Sequence, residues 1–413
     1  LLAGAQLHQG QLSSGDVPWI RVGTAVCGEA AGALAVVESL KSEISKRNIS
    51  ATISEVGCIG LCYAETIVDI LKPGKPRVFY AGVTVEMVPG LVEAYLQGDD
   101  HRPDIAMAYS GEGQVEGVPR LEDLPMWNRQ VRVAMRNCGH IDPTDIRQYI
   151  ANGGYAALNK ALTQMQPEDV LKEVQASGLK GRGGAAFPTA LKWSFLARAP
   201  GKIKYILCNC EEGDPGAYND KGILESDPHT LIEGTILAGY ATGASNGIVF
   251  IRHGHNGPID RTEYAIKQAY ESGILGENIL GSSFSFDIEV SLTGESYVSG
   301  EETALMESVE GKRAMPRYKP PFPAASGVWG LPSNINNIKT LAYVPEIIRN
   351  GGGWFAGIGT ENSAGTAILC LSGSVQRPGM IEVPMGTTLR EAIIDMAGGS
   401  PSGRNPKFLQ TGG

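Results

Sequence analysis

The chain has 413 residues, of which 42% are hydrophobic and 19% charged, and its formal net charge at pH 7 is -9. This composition is typical of a soluble globular protein with two or three domains. The negative charge and the lack of long runs of like charge argue against a nucleic-acid partner. No apolar segment reaches the length of about 18 residues that a membrane span needs, and no secretory signal is visible, so we expect a cytoplasmic protein without direct membrane insertion.

The first 107 residues contain a polar arm and a compact unit. Residues 1–16 are polar and rich in Gly and Ser without apolar periodicity, which predicts a poorly ordered lead-in or an arm that binds a partner. Residues 17–107 alternate β-like and helical patterns. The predicted elements, in chain order, are a strand over 19–26, a helix over 30–46, a strand over 50–56, a hairpin of 67–71 and 78–80, and a helix over 84–97. This βαβ then ββα order is typical of a thioredoxin-like domain.

Three of the seven cysteines lie in this unit, at the ends of its predicted strands. Cys58 and Cys62 have the spacing C-x3-C, and Cys27 precedes them. An odd number of cysteines fits a metal or cluster site in a reducing compartment better than it fits a disulfide framework. Thiolates on adjacent loops can converge on iron, and cysteine is the ligand that [2Fe-2S] clusters prefer. The alternative is three buried structural cysteines.

The remaining chain divides into a linker and two further units. Residues 108–130 are predicted to be the linker, because the composition in this region turns to Pro, Gly, Asp and Glu with little periodicity. Residues 131–357 alternate helices with short buried strands, which predicts a Rossmann-like α/β domain. Its clearest predicted elements are strands over 203–207 and 248–251 and helices over 228–241 and 261–272. Residues 358–413 change pattern, to strands over 366–373 and 379–383 and a helix over 388–397.

Cys138 and His140 lie two residues apart near the start of the α/β domain. Their spacing suggests a metal site, although a pair alone is a weak signal. The alternative is a structural cysteine beside an exposed histidine.

A glycine-rich segment of the α/β domain has the composition of an anion-binding loop. Gly181, Gly183 and Gly184 surround Arg182. A backbone with so few side chains can take positive φ and press its N–H groups against a ligand. An apolar, helix-compatible run up to Phe195 follows, and a helix start adds further N–H groups and partial positive charge. The alternative is a flexible glycine-rich turn.

The region from Asn137 to Gly413 contains six further motifs in a fixed order. They are Cys208–Tyr218 (CNCEEGDPGAY), Asp227–His229 (DPH), Gly300–Leu305 (GEETAL), Lys319–Pro323 (KPPFP), Asn336–Asn337 and Val383–Thr388 (VPMGTT). With the glycine-rich loop, this region resembles the NADH-oxidising subunit of respiratory complex I and its relatives in NAD-dependent and electron-bifurcating hydrogenases and formate dehydrogenases. The resemblance implies a Rossmann-like FMN-binding domain followed by a β-grasp domain, of which residues 358–413 are only a part.

The resemblance also implies the roles of individual residues. FMN is expected to contact Gly181, Arg182, Gly183, Gly184, Lys192, Asn209, Glu211, Glu212, Tyr297, Gly300, Glu301, Asn336, Asn337 and Thr340. NADH is expected to contact Phe187, Phe195, Asp214, Glu302, Lys319 and Phe322. Glu301 and Glu302 are the implied catalytic pair. The residue types suit these roles, because Arg182 and Lys192 neutralise a phosphate dianion. Taken singly, each aromatic residue is equally typical of a hydrophobic core.

The unit at residues 17–107 resembles the thioredoxin-like ferredoxin domain of the same enzymes, which implies a [2Fe-2S] cluster on Cys27, Cys58 and Cys62. That family has four cysteines, and the one expected a few residues after Cys27 is missing. The fourth ligand is then Glu29 or another nearby group, unless the cluster has been lost. The chain opens without Met and stops within a motif, so we expect a longer polypeptide, with a [4Fe-4S] cluster only in its missing C-terminal part.

These observations imply a flavoprotein subunit of a multisubunit redox complex. It is expected to act as an FMN-dependent NADH dehydrogenase that passes single electrons to partner iron–sulfur subunits, with flavin-based electron bifurcation left open. Two departures from the family lie near the expected flavin ring: Glu295 adds a carboxylate, and Ser299 replaces a cysteine. The departure over residues 293–296 and the missing fourth cysteine of the N-terminal unit motivate the alternative of a scaffold subunit with a degenerated flavin site that only docks other redox subunits.

Overall fold

The structure is a computed structural model that describes residues 1–294 and 296–412. The carboxylate at Glu295, on which one expectation depends, therefore lies outside the described residues. The N-terminal region contains α1 (Leu2–Ser14), β1 (Trp19–Gly23), α2 (Val26–Ala30), α3 (Ala33–Lys46), β2 (Thr52–Val56), β3 (Val68–Leu71), β4 (Arg77–Tyr80), α4 (Val88–Leu91) and β5 (Ala106–Ser110). A π-helix over Val92–Gln97 continues α4.

The predicted disorder of residues 1–16 is wrong, because this segment forms α1. The helix packs against the α/β domain: the side chain of Ala5 is buried, and His8 Nε2 lies 2.8 Å from Asp145 Oδ2. Ala5 is the one fully buried residue of this helix. Because the helix packs through so few apolar side chains, its sequence has no apolar stripe from which the helix could be predicted.

The N-terminal strands form one sheet in the order β2-β1-β3-β4-β5. β1 and β2 are parallel, and the other neighbours are antiparallel. The predicted strands and helices of this unit are confirmed in type and order. However, β1 ends at Gly23 rather than at residue 26, Val26–Ala30 forms the unpredicted α2, and α4 starts at Val88 rather than near residue 84. β5 was not predicted, and the domain boundary expected at residue 107 falls inside this strand. The sequence around β5 is polar and shows no clear alternation, so the strand was not recognised, although Ala108 and Tyr109 are buried.

The predicted linker, residues 108–130, packs against its surroundings instead of crossing open solvent. Leu121 and Met126 are buried in a hydrophobic cluster that also contains Ile59 and, from the C-terminal region, Ile381 and Val383. The segment is rich in proline and glycine, yet its few apolar residues pack against both the N-terminal unit and the C-terminal region.

The α/β domain is built on a four-stranded parallel sheet. In chain order its elements are α5 (Ile146–Ala151), α6 (Ala156–Gln164), α7 (Pro167–Ala176), α8 (Thr189–Arg198), β6 (Tyr205–Cys210), α9 (Asn219–Ser226), α10 (Pro228–Thr242), β7 (Asn246–Arg252), α11 (Asn256–Glu271), β8 (Asp287–Thr293), α12 (Glu302–Val309), β9 (Ser333–Asn337), α13 (Ile338–Ala342), α14 (Val344–Asn350) and α15 (Gly352–Ala356). The strand order is β8-β7-β6-β9, and all pairs are parallel. This arrangement confirms the predicted α/β class.

The C-terminal region contains the short pair β10 (Gly359–Thr360) and β11 (Ser363–Ala364), the longer pair β12 (Thr366–Leu371) and β13 (Gly379–Pro384), and a π-helix over Glu391–Met396. Both strand pairs are antiparallel. The backbone of β13 also bonds to the N-terminal unit, since Met380 N donates to Gly60 O over 2.8 Å. Within the described part of the chain, every helix is too short or too polar to cross a membrane.

Candidate functional site

The parallel sheet has a switch point between β6 and β9. From β6 the chain proceeds outward to β7 and β8, and it returns on the other side of β6 as β9. The connections that leave the carboxyl ends of β6 and β9 therefore diverge and open a crevice, which is where open α/β sheets bind their ligands. Asn209 and Asn337 are register partners at this end of the two strands.

The three predicted asparagines have different surroundings. Asn209 lies inside β6, and its Nδ2 donates to Gly300 O over 2.9 Å. Asn337 caps α13 and donates to Asp220 Oδ2 over 2.7 Å. Asn336 is buried, and its Oδ1 accepts from the Trp193 indole N–H over 3.1 Å. Asn209 therefore ties the crevice to the segment that precedes α12, whereas Asn336 anchors α8 to the sheet.

The glycine-rich loop lies at the mouth of this crevice. A hydrogen bond of 2.8 Å from Gly181 N to Phe187 O closes the loop. Gly184 has a φ of 111°, in the left-handed region. In the part of the chain that the structure describes, the backbone N–H groups of residues 183–187 donate to no protein acceptor. These residues are exposed. A row of free N–H groups on a loop with left-handed residues is a cradle for an anion.

The backbone of the loop is held against the end of β9 and the start of α13. Arg182 N donates to the Thr340 hydroxyl over 2.9 Å, and a Cβ on Gly183 would lie 3.1 Å from the Asn337 Cβ. Glycine at position 183 thus permits the close approach of the loop to the carboxyl end of β9. The loop and the crevice form one continuous site.

The guanidinium of Arg182 does not point at the free N–H groups. It donates to Lys180 O over 3.1 Å and to Ala364 O over 2.8 Å, and it lies over the Tyr343 ring. Its Nε is buried and has no hydrogen-bond partner. Arg182 therefore braces the loop against the C-terminal region.

Two lysines and two glutamates form a charged cluster beside α8. Lys192 Nζ lies 3.2 Å from Glu302 Oε2 and donates to Ile335 O over 2.7 Å. Lys319 Nζ lies 2.7 Å from Glu302 and 3.3 Å from Glu301. Burial opposes ionisation of Glu302, but Lys192 and Lys319 outweigh it and leave its pKa below the ordinary value. Glu301 caps α12, accepting from the Thr303 and Ala304 N–H groups.

Glu211 and Glu212 have separate roles after β6. Glu211 Oε1 lies 2.7 Å from Arg252 Nη1, at the carboxyl end of β7, and its side chain is almost fully buried. Glu212 accepts from the Asp220 and Lys221 N–H groups at the start of α9. Burial, reinforced by Asp220, raises the pKa of Glu212 to about 7. Sequence reasoning missed Arg252, whose position at the end of a parallel strand was the available signal.

The predicted nucleotide-binding residues are open to solvent. The rings of Phe187 and Phe195 are 44% exposed each, with centroids 6.4 Å apart, and Phe322 is 60% exposed. Among the described residues, Asp214 Oδ1 is buried and has no hydrogen-bond partner, and a bond to the Asp214 side chain raises the pKa of Tyr297. Exposed rings and an unpaired carboxylate oxygen suit a ligand with an aromatic ring and hydroxyl groups.

The three thiols predicted to hold a cluster converge. The Sγ atoms of Cys27, Cys58 and Cys62 lie within 4.8 Å of one another, and those of Cys58 and Cys62 are 3.7 Å apart. Hydrogen bonds from Cys58 and then Cys62 lower the pKa of Cys27 to about 3. Gly60 N donates to Cys58 Sγ over 3.2 Å. Thiolate formation and N–H donation to sulfur both suit iron–sulfur ligation.

Glu65 is the carboxylate that contacts this group, and sequence reasoning missed it. Its Oε1 accepts from the Cys27 thiol over 3.5 Å, and burial raises its pKa to about 8. Glu29, the predicted candidate, is exposed. Cys138 is buried, and within the described residues it joins no group of three metal-ligating side chains. His140 is only partly exposed, and burial holds its pKa well below the ordinary value, so the expectation of an exposed histidine is wrong.

Comparison with known proteins decides the family. Residues 174–346 match the family model described as the Nuo51 FMN-binding domain, and residues 368–408 match the SLBB domain. The F 2 subunit of the NADH-quinone oxidoreductase of Rhizobium meliloti is 48% identical over 281 residues, which cover 68% of this chain and 67% of that protein. The chain belongs to the family of NADH-quinone oxidoreductase F subunits. This confirms the resemblance drawn from the seven motifs.

A hydrogenase subunit and a solved hydrogenase structure are also similar to this chain. The HndC subunit of the NADP-reducing hydrogenase of Solidesulfovibrio fructosivorans is 51% identical over 285 residues, covering 69% of this chain and 58% of that protein. A crystal structure of an NAD+-reducing [NiFe]-hydrogenase in the air-oxidized state superposes with a TM-score of 0.56 at 25% identity, covering 96% of this chain and 64% of that chain. The chain thus spans 58 to 67% of the length of its first two curated relatives.

The matched FMN-binding domain spans both the loop with the free N–H groups and the crevice beside β9. FMN, predicted from the sequence, is therefore confirmed as the cofactor of this domain. The three converging thiols fit the predicted [2Fe-2S] centre, which stays a prediction together with the roles of the individual flavin and nucleotide residues.

Proposed function

We propose that this chain is the NADH-oxidising flavoprotein subunit of a multisubunit redox complex in the cytoplasm. The proposal is that it exchanges hydride with NAD(H) at bound FMN and delivers electrons singly to iron–sulfur centres, its own and those of partner subunits. The observation that carries the proposal is the row of free N–H groups at residues 183–187, fastened by Arg182 and Thr340 at the switch point of the sheet.

Each group of residues has a proposed task. The loop N–H groups and Lys192 hold the FMN phosphate, while Asn209 and Asn337 flank the crevice that receives the rest of the molecule. Bound FMN takes two electrons as a hydride and gives them up one at a time, which nicotinamide does not do readily. Glu302, held between Lys192 and Lys319, keeps negative charge at the entrance and orients both ammonium groups.

The nucleotide is proposed to approach over the exposed rings of Phe187, Phe195 and Phe322, which offer stacking surfaces for adenine. The unpaired Asp214 Oδ1 is an acceptor for a ribose hydroxyl. Among the relatives, one is named as NADP-reducing and others as NADH-linked, so the family name alone does not choose the nucleotide. A carboxylate in this position favours NADH, because it would repel the ribose phosphate of NADPH.

The deciding experiment is spectroscopic. The purified chain is expected to be yellow, to contain about one FMN by extraction, and to lose its flavin absorbance when NADH is added anaerobically. A colourless protein that binds redox partners would instead support the scaffold alternative. A yellow protein that NADH does not bleach would keep FMN binding and overturn the proposed dehydrogenase activity.

A further inference from the structure

The iron–sulfur site has three cysteine sulfurs, whereas a [2Fe-2S] cluster takes four protein ligands, two on each iron. We propose that the Glu65 carboxylate is the fourth ligand, sharing one iron with Cys27 while Cys58 and Cys62 share the other. The inference rests on the [2Fe-2S] centre of the proposed function, and it names the group that replaces the missing cysteine.

Two distances within this group of four side chains fit two ligands on one metal ion. Sulfurs on one tetrahedral metal, with bonds of about 2.3 Å, lie about 3.8 Å apart, and a sulfur and a carboxylate oxygen with bonds of about 2.3 and 2.0 Å lie about 3.5 Å apart. The Cys58 and Cys62 sulfurs are separated by 3.7 Å. Cys27 Sγ and Glu65 Oε1 are separated by 3.5 Å. Each pair therefore has the spacing of two ligands on one iron.

The backbone around Glu65 is shaped for its carboxylate. A Cβ on Gly23 would lie 3.3 Å from Glu65 Oε2, which is its nearest neighbour, so a side chain at this position would crowd the carboxylate. The Ile67 N–H donates to the same oxygen over 3.1 Å. That bond fixes the orientation of the carboxylate and leaves Oε1 directed at Cys27, as partners of metal ligands commonly do.

The chemistry of the replacement is balanced in charge. A carboxylate carries the same single negative charge as a thiolate, so three thiolates and Glu65 give the cluster the same total ligand charge as four cysteines. Glu65 directly follows the short 3-10 helix Cys62–Ala64, so it lies close in the chain to Cys58 and Cys62, while Cys27 comes from α2.

Two other acids near Cys27 are excluded by their surroundings. Glu29 lies two residues from Cys27, but it is exposed. Glu225 is buried, and its Oε2 accepts from the Val26 N–H at 3.4 Å. Glu65 is the one whose oxygen reaches a cysteine sulfur.

The first test uses the full chain, reconstituted anaerobically with ferrous iron and sulfide. We expect two irons and two sulfides per chain, and an iron X-ray absorption spectrum with one oxygen ligand for every two irons. An all-sulfur first shell, a single iron without sulfide, or the absence of bound iron would each overturn the inference. FMN content and bleaching by NADH are recorded on the same samples, so a yellow, NADH-reducible protein with no oxygen-ligated cluster refutes the inference but not the proposed function.

The second test uses matched variants. In competition with a chelator, Glu65→Ala should bind iron with an affinity at least about tenfold below that of the wild type. Glu65→Cys should retain the cluster but lose the oxygen signal, and Glu29→Ala, the control, should match the wild type. Wild-type iron retention and an unchanged oxygen signal in Glu65→Ala would overturn the proposal. Should Glu65→Ala fail to fold by circular dichroism, the wild-type spectrum and the loss of the oxygen signal in Glu65→Cys still decide.

Discussion

Arg182 and Thr340, 158 positions apart in the chain, are joined by a hydrogen bond of 2.9 Å from the Arg182 backbone N–H to the Thr340 hydroxyl. This bond sets the glycine-rich loop on α13, the helix that begins where β9 ends. It fastens the loop that carries the free N–H groups of residues 183–187 beside the carboxyl end of β9.

Gly183→Val should weaken FMN binding about tenfold, because overpacking of this kind typically costs about 1–3 kcal/mol. A Cβ at this position already lies 3.1 Å from Asn337 Cβ, so the larger side chain pushes the loop away from the crevice. Flavin content per chain and FMN affinity of the apoprotein measure the effect. Gly353→Val is the size-matched control, since a Cβ there meets nothing within 4 Å. Equal flavin content in both variants would remove residue 183 from the site.

Lys192→Met should also lower FMN affinity, by roughly tenfold. The variant keeps the aliphatic stem but leaves the phosphate and Glu302 without one positive charge, and the partial exposure of Lys192 limits the cost to about 1–2 kcal/mol. Titration of apoprotein with FMN, followed by flavin fluorescence, gives the ratio. Lys172→Met is the control, because it removes a lysine that pairs with Asp169 on an exposed helix surface. Wild-type affinity in Lys192→Met would contradict the proposed role.

Asp214→Asn should raise the ratio of NADPH to NADH turnover while FMN stays bound. Two like charges about 4 Å apart cost roughly 4 kcal/mol at an effective dielectric of about 20, or on the order of a hundredfold to a thousandfold in binding. Asp214 is partly exposed and has a short side chain, so we expect the ratio of NADPH to NADH turnover to rise by roughly ten- to a hundredfold.

The comparison for this variant is kcat/KM with both nucleotides, and Asp260→Asn on the exposed face of α11 is its control. An unchanged ratio would assign the selectivity to another residue, with Glu295 the next to test.

Asp227→Asn should flatten the dependence of stability on pH. Burial raises the pKa of Asp227 to about 7 from an ordinary value of 3.8, despite opposition from Arg136 and from the Asn137 amide. Between these two pH values the folded chain keeps a proton that the unfolded chain releases, so this group's stabilisation is complete below about pH 4 and is lost as pH rises through about 7.

We expect the variant to gain about 2–4 kcal/mol relative to wild type between pH 4 and pH 8. Asparagine can keep the helix cap, since Asp227 Oδ1 accepts from the Thr230 N–H. Urea unfolding of both proteins at several pH values measures the difference. Parallel curves for the two proteins would show that Asp227 does not titrate in this range.

Ala5→Asp should lower the unfolding temperature by several degrees, because Ala5 is buried against the α/β domain and an unpaired carboxylate there costs a few kcal/mol. Leu7→Asp is the matched control, since Leu7 on the same helix is 67% exposed. Thermal unfolding by circular dichroism compares the two. Equal unfolding temperatures would mean that α1 does not contribute to stability.

Local pattern was sufficient for much of the fold. Apolar runs predicted two of the four parallel strands, β6 and β7, and apolar periodicity predicted the helices α10 and α11. The spacing of Gly181, Gly183 and Gly184 predicted the anion loop, since only glycine tolerates the close approach. Cys27, Cys58 and Cys62 indicated a cluster because few other chemistries use three thiols at strand ends.

Other features exist only through contacts between distant segments. α1 is held by a single buried alanine and one polar contact, and β5 by pairing with β4, so neither leaves a periodic signal. The direction of the Arg182 guanidinium depends on Ala364, which lies 182 positions away.

Chain proximity favoured Glu29 as the partner of Cys27, whereas the fold brings Glu65 to the sulfur instead. A ligand set is defined by distances in space, and spacing along the sequence reports those distances only within one turn or loop.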